Sequence, residues 1–305
     1  MIETLAPEFV VIAERAEMPE EQSAAMAALG PRLSPAGGVA LDGVDLSQAM
    51  TPAVMARILT AFREHHVVVF PGQTVSREQQ FAFATNFGEV ERSPKHQSGS
   101  KRYAVAHVLS NLDGNGNPVD RSASPVSNYR WHTDKSYFRV PPMLTMLRAV
   151  ALPPAGGDTE FANTQMAYAA LSGPVKRRLA GLRVVFYWGA AQAPSGAAPV
   201  SGSQKREIVD HPLVRTHPDT GAKTLYLGNH ASHILGWPIA DGRALLDELL
   251  AHATQRQFVY AHRWRVGDLV MWDNRCLLHR AVANFALDKH PRILHRTVVK
   301  GTVPF

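Results

Sequence analysis

Two short His-x-Asp patterns are the first candidates for chemistry in this sequence, His132-Thr133-Asp134 and His217-Pro218-Asp219. On a β-strand, residues i and i+2 point to the same side, so an imidazole and a carboxylate at this spacing can bind one metal ion. The proline and the Thr220-Gly221 that follows predict a turn at the second pattern. Because the chain contains 14 histidines, a match by chance is expected. A hydrogen-bonded surface pair is the simpler interpretation of the pattern alone.

A further histidine lies near the C-terminus in a strand, turn, strand pattern. Trp264–Ala281 predicts a strand, a polar turn and a second strand that carries His279. After a loop, Arg292 and Arg296 stand four residues apart, on the same face of a period-two strand. This layout could hold a third metal ligand beside an arginine that binds a carboxylate, because the planar guanidinium group matches carboxylate geometry.

The composition limits what else the chain can be. With 305 residues, 45% hydrophobic and 19% charged, it has enough apolar material for a large core. The single Cys276 excludes an internal disulfide and a Cys-rich zinc site, and fits a reducing compartment. Scattered basic residues and a net charge of +6 argue against a nucleic-acid interface and suit a small anionic ligand. No apolar stretch approaches the ~18 residues of a membrane span, and acids occur throughout residues 1–26. We therefore expect a cytoplasmic protein that binds neither membranes nor nucleic acids.

Short β-type segments separated by glycine and proline dominate the sequence from Leu33 onwards. Val67–Phe70 has the composition of a buried strand, and the capping-box pattern Ser76–Gln79 predicts a helix that ends near Phe87. Further predicted strands are Tyr103–Val108, Leu144–Val150, Leu182–Tyr187, Leu213–Thr216, Thr224–Leu227, Phe258–His262, Asp268–Trp272, Leu277–Ala281 and Ile293–Val299, with helices at Thr164–Leu171, Val175–Leu179 and Ala240–His252. Because strands and helices do not alternate regularly, a mainly β sandwich or barrel with flanking helices is favoured.

The first 31 residues form a separate piece in this prediction. Glu20–Met26 is a short helical stretch that Gly30-Pro31 stops. Residues 1–31 are therefore predicted to be an N-terminal arm, which could mediate a homo-oligomer contact, and residues 32–305 to be one domain.

Together these features resemble the taurine dioxygenase and 2,4-dichlorophenoxyacetate dioxygenase family of non-haem Fe(II), 2-oxoglutarate-dependent oxygenases. The resemblance covers roughly Leu33 to Val299. Its landmarks, in chain order, are Val67–Gln73, Phe87–Glu89, Trp131–Asp134, Pro153–Thr159 with Gly156-Gly157-Asp158-Thr159, Leu213–Pro218, Trp272–Arg275 and the segment from His279 to Arg296. The fold that this resemblance implies is a double-stranded β-helix, or jelly roll, with helices outside.

The resemblance also implies a division of roles among the candidate residues. His132, Asp134 and His279 would bind Fe(II) and leave coordination positions open for 2-oxoglutarate and dioxygen. Arg292 and the hydroxyl of Thr159 would bind the distal carboxylate of 2-oxoglutarate. Arg296 would face the anionic group of the primary substrate, or else form a salt bridge with an acid such as Asp273.

One departure from the taurine branch bears on the substrate. Ser93 stands where taurine dioxygenase has a sulfonate-binding histidine, with Lys95 and His96 just beyond it. Leu227–Ile234 and Leu269–Leu278 look closer to the phenoxyacetate branch. The resemblance therefore implies hydroxylation of an aryloxyalkanoate-type carboxylic acid that leads to ether cleavage, with succinate and CO2 as co-products. The alternative is an alkylsulfonate such as taurine, or a sulfate ester.

Several alternatives stay open on the residues alone. His230 and His233 either orient the substrate or are ordinary loop histidines with satisfied hydrogen bonds. Trp272–Arg275 is expected to support the turn before His279. A non-enzymatic jelly-roll binding protein would not need the metal set together with Thr159 and the arginines. A zinc hydrolase could use the same three ligands but has no use for Arg292.

Overall fold

A computed structural model describes residues 29–94, 103–104, 106–120, 122, 128–190 and 208–305. Within these ranges the strands are β1 (Arg32–Ser34), β2 (Gly37–Ala40), β3 (Val67–Phe70), β4 (Ser93–Pro94), β5 (Tyr103–Ala104), β6 (His107–Ser110), β7 (Pro142–Ala151), β8 (Thr159–Asn163), β9 (Arg183–Phe186), β10 (Val209–Pro212), β11 (Val214–Thr216), β12 (Lys223–Leu225), β13 (Ala231–Ile234), β14 (Val259–His262), β15 (Leu269–Asp273), β16 (Leu277–Ala281) and β17 (Ile293–Lys300). The α-helices are α1 (Pro52–His65), α2 (Arg77–Ala84), α3 (Thr164–Ala169), α4 (Gly173–Leu179) and α5 (Ile239–Ala253). None of these helices is long and apolar enough to cross a membrane.

Local sequence determines where the first two helices begin and end. The Thr51 side chain caps α1 and Pro52 occupies its first turn, where no intrahelical N–H bond is lost. Helix α2 has the predicted capping box, in which the Ser76 hydroxyl accepts from the Gln79 N–H and the Gln79 side chain accepts from the Ser76 N–H. After α2 the chain tightens into a 3-10 turn at Thr85–Phe87, close to the predicted end.

Two sheets position the candidate site. The larger one has seven strands in the order β1-β2-β3-β15-β7-β17-β6, and a smaller one has the order β14-β8-β16. Side chains alternate between the two faces of β15: Leu269 and Met271 pack against α1 and α2, whereas Val270 and Trp272 join a core shared with the smaller sheet. A third core packs α3, α4 and α5 against β9 and β13. The candidate residues lie on the side of the large sheet that faces the small sheet.

Among the described residues, the predicted elements agree with the structure in type, and most boundaries differ by one or two residues. The predicted helix at Glu20–Met26 lies outside the described residues. Leu277–Ala281 is reproduced residue for residue as β16. The predicted strand at Tyr103–Val108 is instead two strands, β5 and β6. Six of the described strands were not predicted, namely β1, β2, β4, β8, β10 and β13. The most consequential of these is β8, because it carries Thr159 directly after a Gly-Gly turn whose turn signal dominates the local pattern.

Candidate active site

A reciprocal pair of backbone hydrogen bonds joins two of the predicted ligands. The His132 N–H donates to the His279 carbonyl over 3.1 Å, and the His279 N–H donates to the His132 carbonyl over 2.7 Å. This bridge connects the segment after residue 128 to β16, so the two imidazoles start from adjacent backbone positions with ring centroids 4.2 Å apart. Residues 147 positions apart in sequence thus meet without any contribution from their side chains.

Asp134 completes a group that could hold a metal ion. One ligand atom from each of His132, Asp134 and His279 lies within 4.8 Å of the other two, and all three residues are buried. The His279 Nε2 lies 3.8 Å from Asp134 Oδ2. His132 Nδ1 is hydrogen-bonded to the Arg130 carbonyl over 2.8 Å, which leaves Nε2 of that ring for a ligand. Two neutral imidazoles and one carboxylate are the donor set that Fe(II) oxygenases use.

The surroundings of the three candidate ligands favour the protonation states in which they can bind a metal ion. Burial lowers the pKa of His132 and lowers that of His279 to about 3, so both rings are neutral at neutral pH. Burial alone would raise the pKa of Asp134, but His279, Arg296 and His132, together with a hydrogen bond from Thr145, lower it well below its usual range. A metal ion therefore need not displace a proton from an imidazolium ion or a carboxylic acid.

Next to this group lies a second set of polar atoms, centred on Thr159 and Arg292. Arg292 Nε donates to the Gly157 carbonyl over 2.9 Å, and its Nη2 donates to Thr159 Oγ1 over 3.2 Å. The Trp264 indole also donates to Thr159 Oγ1, over 2.9 Å. Because Thr159 Oγ1 is the acceptor in both bonds, its hydroxyl proton is available to donate to an anion in the cavity. Partial withdrawal from water lowers the pKa of Arg292 to about 10, although Tyr129 and Asp158 oppose the shift, and the group stays charged at neutral pH.

Gly157 is a glycine for a specific reason. Its backbone has φ +74°, and a Cβ there would lie 3.3 Å from the Cδ and Nε atoms of Arg292. A side chain would therefore strain the turn and crowd the guanidinium stem. The Gly156-Gly157 landmark thus brings Arg292 close to the start of β8.

The three candidate metal ligands, Thr159 and Arg292 line one cavity of about 370 Å³, which includes the open space at its mouth. Arg296 enters it from β17, with its Nη1 3.5 Å from Asp134 Oδ1. The cavity is lined by His132, Asp134, Thr159, His279, Arg292 and Arg296 together with Leu109, Asn128, Leu147, Trp272 and Ala281. The structure therefore brings together six of the nine predicted site residues. Lys95 and His96 lie outside the described residues, and Ser93 lies in β4, opposite Ala104.

The alternative partner that the sequence suggested for Arg296 is engaged elsewhere. Both carboxylate oxygens of Asp273 accept from Arg275, and Oδ2 also lies 3.0 Å from His217 Nε2. Arg275 in turn contacts Asp219 over 2.8 Å. The second His-x-Asp pattern is thus a turn, as predicted, and it supports the turn before β16.

Within the part of the chain that the structure describes, one further group has metal-ligand spacing, namely His66, Asp273 and Cys276. Its carboxylate is already saturated by Arg275 and His217, as described above. Burial raises the pKa of the Cys276 thiol well above its usual value, so the thiol stays protonated. A cation would have to displace a buried guanidinium, and these residues are better explained as structural support.

The geometry agrees with what the chain resembles. The sequence model of the taurine catabolism dioxygenase TauD, TfdA family matches residues 28–298. The chain belongs to the TauD, TfdA family. It is 42% identical over 264 residues to the α-ketoglutarate-dependent 2,4-dichlorophenoxyacetate dioxygenase of Cupriavidus pinatubonensis, covering 84% of this chain and 92% of that protein. It is 33% identical over 294 residues to the (S)-phenoxypropionate/α-ketoglutarate dioxygenase of Delftia acidovorans, covering 88% and 97%.

A solved structure shows the same relationship. The crystal structure of AAD-2 in complex with Mn(II) and N-oxalylglycine aligns with a TM-score of 0.77 and 32% identity, over 90% of this chain and 98% of that one. The predicted family is therefore confirmed, and so is the enzyme class, a 2-oxoglutarate-dependent non-haem iron dioxygenase of this TauD, TfdA family. Fe(II), 2-oxoglutarate and dioxygen are its cofactor and co-substrates.

The two histidines left open by the sequence do not line the cavity. His233 is hydrogen-bonded to the neighbouring Ser232 in β13. The buried His230 packs edge-on against Tyr137, 4.7 Å between ring centroids. Sequence reasoning missed Thr145, Trp264 and Leu147 in this TauD, TfdA site. Thr145 did carry a signal, because it is a hydroxyl residue in a predicted strand that is otherwise apolar except for Arg148.

Proposed function

We propose that this enzyme hydroxylates an aryloxyalkanoate-type carboxylic acid at the carbon that bears the aryloxy group. The hydroxylated product is a hemiacetal, which collapses to a phenol and an oxo acid, while 2-oxoglutarate is converted to succinate and CO2. Bound Fe(II) would supply the activation of dioxygen for this reaction. The observation that carries the proposal is a single cavity in which the candidate metal group, two guanidinium groups and apolar walls converge.

Six of the lining residues then have a role. His132, Asp134 and His279 hold the iron, supported by their mutual distances and neutral imidazoles. Arg292 and Thr159 bind the distal carboxylate of 2-oxoglutarate, because they are adjacent and direct donors towards the same space. Arg296 binds the carboxylate of the primary substrate.

The charge of the cavity supports a monoanionic substrate. Among its lining residues, two guanidinium groups face a single carboxylate, Asp134. With a divalent cation added, positive charge exceeds negative charge by three. A 2-oxoglutarate dianion and a monocarboxylate would together neutralise this excess, whereas a zwitterion such as taurine would leave part of it uncompensated. Leu109, Leu147 and Trp272 provide apolar surface that suits an aromatic ring.

The substrate proposal can be tested by a panel of compounds supplied with Fe(II), ascorbate, 2-oxoglutarate and oxygen. We expect substrate-dependent succinate release with phenol formation for aryloxyacetates or aryloxypropionates, and much less with taurine, longer alkylsulfonates or sulfate esters. Sulfite or sulfate release that exceeds phenol release would favour the sulfur-compound alternative. Activity that is independent of oxygen and ascorbate would contradict the reaction class.

The 2-oxoglutarate clamp leads to a second expected result. In the Mn(II)-loaded protein, Arg292→Lys should weaken 2-oxoglutarate binding strongly. The planar guanidinium group can donate to Gly157, Thr159 and a carboxylate at once, whereas the ammonium group of lysine lacks this geometry. Thr159→Val should act in the same direction and cost about 1.5–3 kcal/mol, the range for a hydrogen bond to a charged group. Titration calorimetry would measure both. An unchanged dissociation constant in the lysine variant would remove Arg292 from the clamp.

We also infer that residues 32–305 form one double-stranded β-helix domain. The seven-stranded sheet and the β14-β8-β16 sheet share one apolar core, which includes Leu147 and Phe161. The cavity opens beside this core, where Leu147 from the large sheet and Thr159 from the small sheet both line it. Such an arrangement places a metal site between two sheets, where strand alternation directs the ligands inward.

A further inference from the structure

A chain of three hydrogen bonds ends on the carboxylate of Asp134. The Thr145 hydroxyl donates to Asp134 Oδ2 over 2.6 Å. Thr145 Oγ1 in turn accepts from the Asn274 amide nitrogen over 2.9 Å, and the Asn274 amide oxygen accepts from the Trp272 indole over 3.0 Å. Every residue of this chain is buried, with Thr145 at 0% exposure and Asn274 at 2%.

The direction of this chain is fixed by chemistry. An indole N–H can only donate, so the Asn274 oxygen must face Trp272 and its NH2 group must face Thr145. The Thr145 hydroxyl, which accepts from that NH2 group, has a single proton, and that proton points at Asp134. The amide orientation therefore determines that the Thr145 hydroxyl donates its hydrogen bond to Asp134.

The main chain of Asn274 connects the same residue to the other ligands. Its carbonyl accepts from the hydroxyl of Thr133, which stands between His132 and Asp134, over 2.8 Å. Its N–H donates to the Met143 carbonyl over 2.9 Å. Asn274 itself lies in the turn between β15 and β16, and β16 carries His279. One residue thus links the two segments that supply all three candidate ligands.

We propose that Asn274 is the positioning residue of the metal centre, acting on Asp134 through Thr145. Its amide holds the Thr145 hydroxyl as a donor to Asp134, and its backbone fixes Thr133 against the turn that precedes His279. This inference rests on the proposed function, because it assumes that His132, Asp134 and His279 bind the metal. It gives Asn274 a role without contact to metal, 2-oxoglutarate or substrate.

The test measures Mn(II) affinity by titration calorimetry, with no turnover required. Losing a partner that orients a metal ligand typically costs about 10- to 100-fold in affinity. We expect Asn274→Ala and Thr145→Val each to weaken Mn(II) binding by about that factor, and Thr145→Ser to restore wild-type affinity. The double variant should bind no more weakly than the weaker single variant, because both changes interrupt one chain. Thermal unfolding of each metal-free variant checks that it is folded.

A matched control is available on β17. Thr297 is buried, and its hydroxyl has no hydrogen-bond partner among the residues that the structure describes. It lies opposite Met146 of β7, a residue of the core on the helix side of the sheet, so Thr297→Val should leave Mn(II) affinity unchanged. A similar loss in Thr297→Val would show that any buried threonine matters, and it would overturn the proposal.

The remaining outcomes separate the positioning role from the metal site itself. If Asn274→Ala folds and binds Mn(II) like the wild type, the positioning role is wrong. If the two losses multiply in the double variant, Asn274 does not act through Thr145. Should Asn274→Ala fail to fold, wild-type affinity in Thr145→Val overturns the proposal instead. If both Asn274→Ala and His279→Ala retain wild-type Mn(II) affinity, the proposed metal site itself is wrong. If only His279→Ala loses Mn(II) affinity, the metal site stands and only the positioning role of Asn274 is wrong.

Discussion

Replacing His132, Asp134 or His279 by alanine is expected to abolish substrate-dependent succinate release and to weaken Mn(II) binding by more than about 100-fold. Loss of a residue that merely supports a ligand costs up to about that factor, so loss of a ligand should exceed it. The three side chains are buried and share a single candidate metal position. Removing one leaves two ligands, fewer than the three by which such an oxygenase holds its iron.

These variants should remain folded. His132 and His279 are joined through backbone atoms, so the bridge survives loss of the imidazoles. Circular dichroism and thermal unfolding of the metal-free proteins would confirm this. His233→Ala is a suitable control, because His233 is a partly buried histidine that does not line the cavity. Near-normal Mn(II) affinity and turnover in any of the three cavity variants would exclude that residue from the metal site.

Arg296→Ala is expected to weaken binding of the aryloxyalkanoate by about 30-fold or more, because breaking a desolvated charge pair by removing one partner costs about 2–5 kcal/mol. The guanidinium group lies in the cavity, and among the residues that the structure describes only one carboxylate lines that space, Asp134 at 3.5 Å. The neutral amide of the same acid should bind the wild-type enzyme more weakly than the acid does, by a similar factor. In Arg296→Ala the amide and the acid should bind with nearly equal affinity, since the contact is already absent.

Dissociation constants of acid and amide for the protein loaded with Mn(II) and 2-oxoglutarate would measure this cycle. Because Arg296 also stabilises ionised Asp134, Mn(II) and 2-oxoglutarate affinities should be measured in the same variant. Arg183→Ala is the control, since Arg183 pairs with Asp210 at the surface and does not line the cavity. Additive losses from the arginine and amide changes, or equal turnover of acid and amide, would contradict direct contact and leave the iron and 2-oxoglutarate assignments standing.

The sequence by itself determined the reaction class and six residues of the cavity. Ordered landmarks with characteristic separations, such as His132-Thr133-Asp134 and the segment from His279 to Arg296, are specific enough to indicate the family. Local patterns also determined most elements, because alternation and capping depend on neighbours within a few residues. Trp272–Arg275 was expected to support the turn before His279, and the hydrogen bonds from Trp272 to Asn274 and from Arg275 to Asp273 agree with that expectation.

Only the tertiary structure decided how these residues act together. The backbone bridge between His132 and His279, the contact of Arg292 with Gly157, and the chain from Asn274 through Thr145 to Asp134 join residues more than 100 positions apart. Strand pairing creates such contacts, and no local pattern encodes which strands become neighbours. The same reason explains why Arg296 faces Asp134 and not Asp273. Asp273 lies at the end of β15, where its carboxylate is bound by Arg275 and His217.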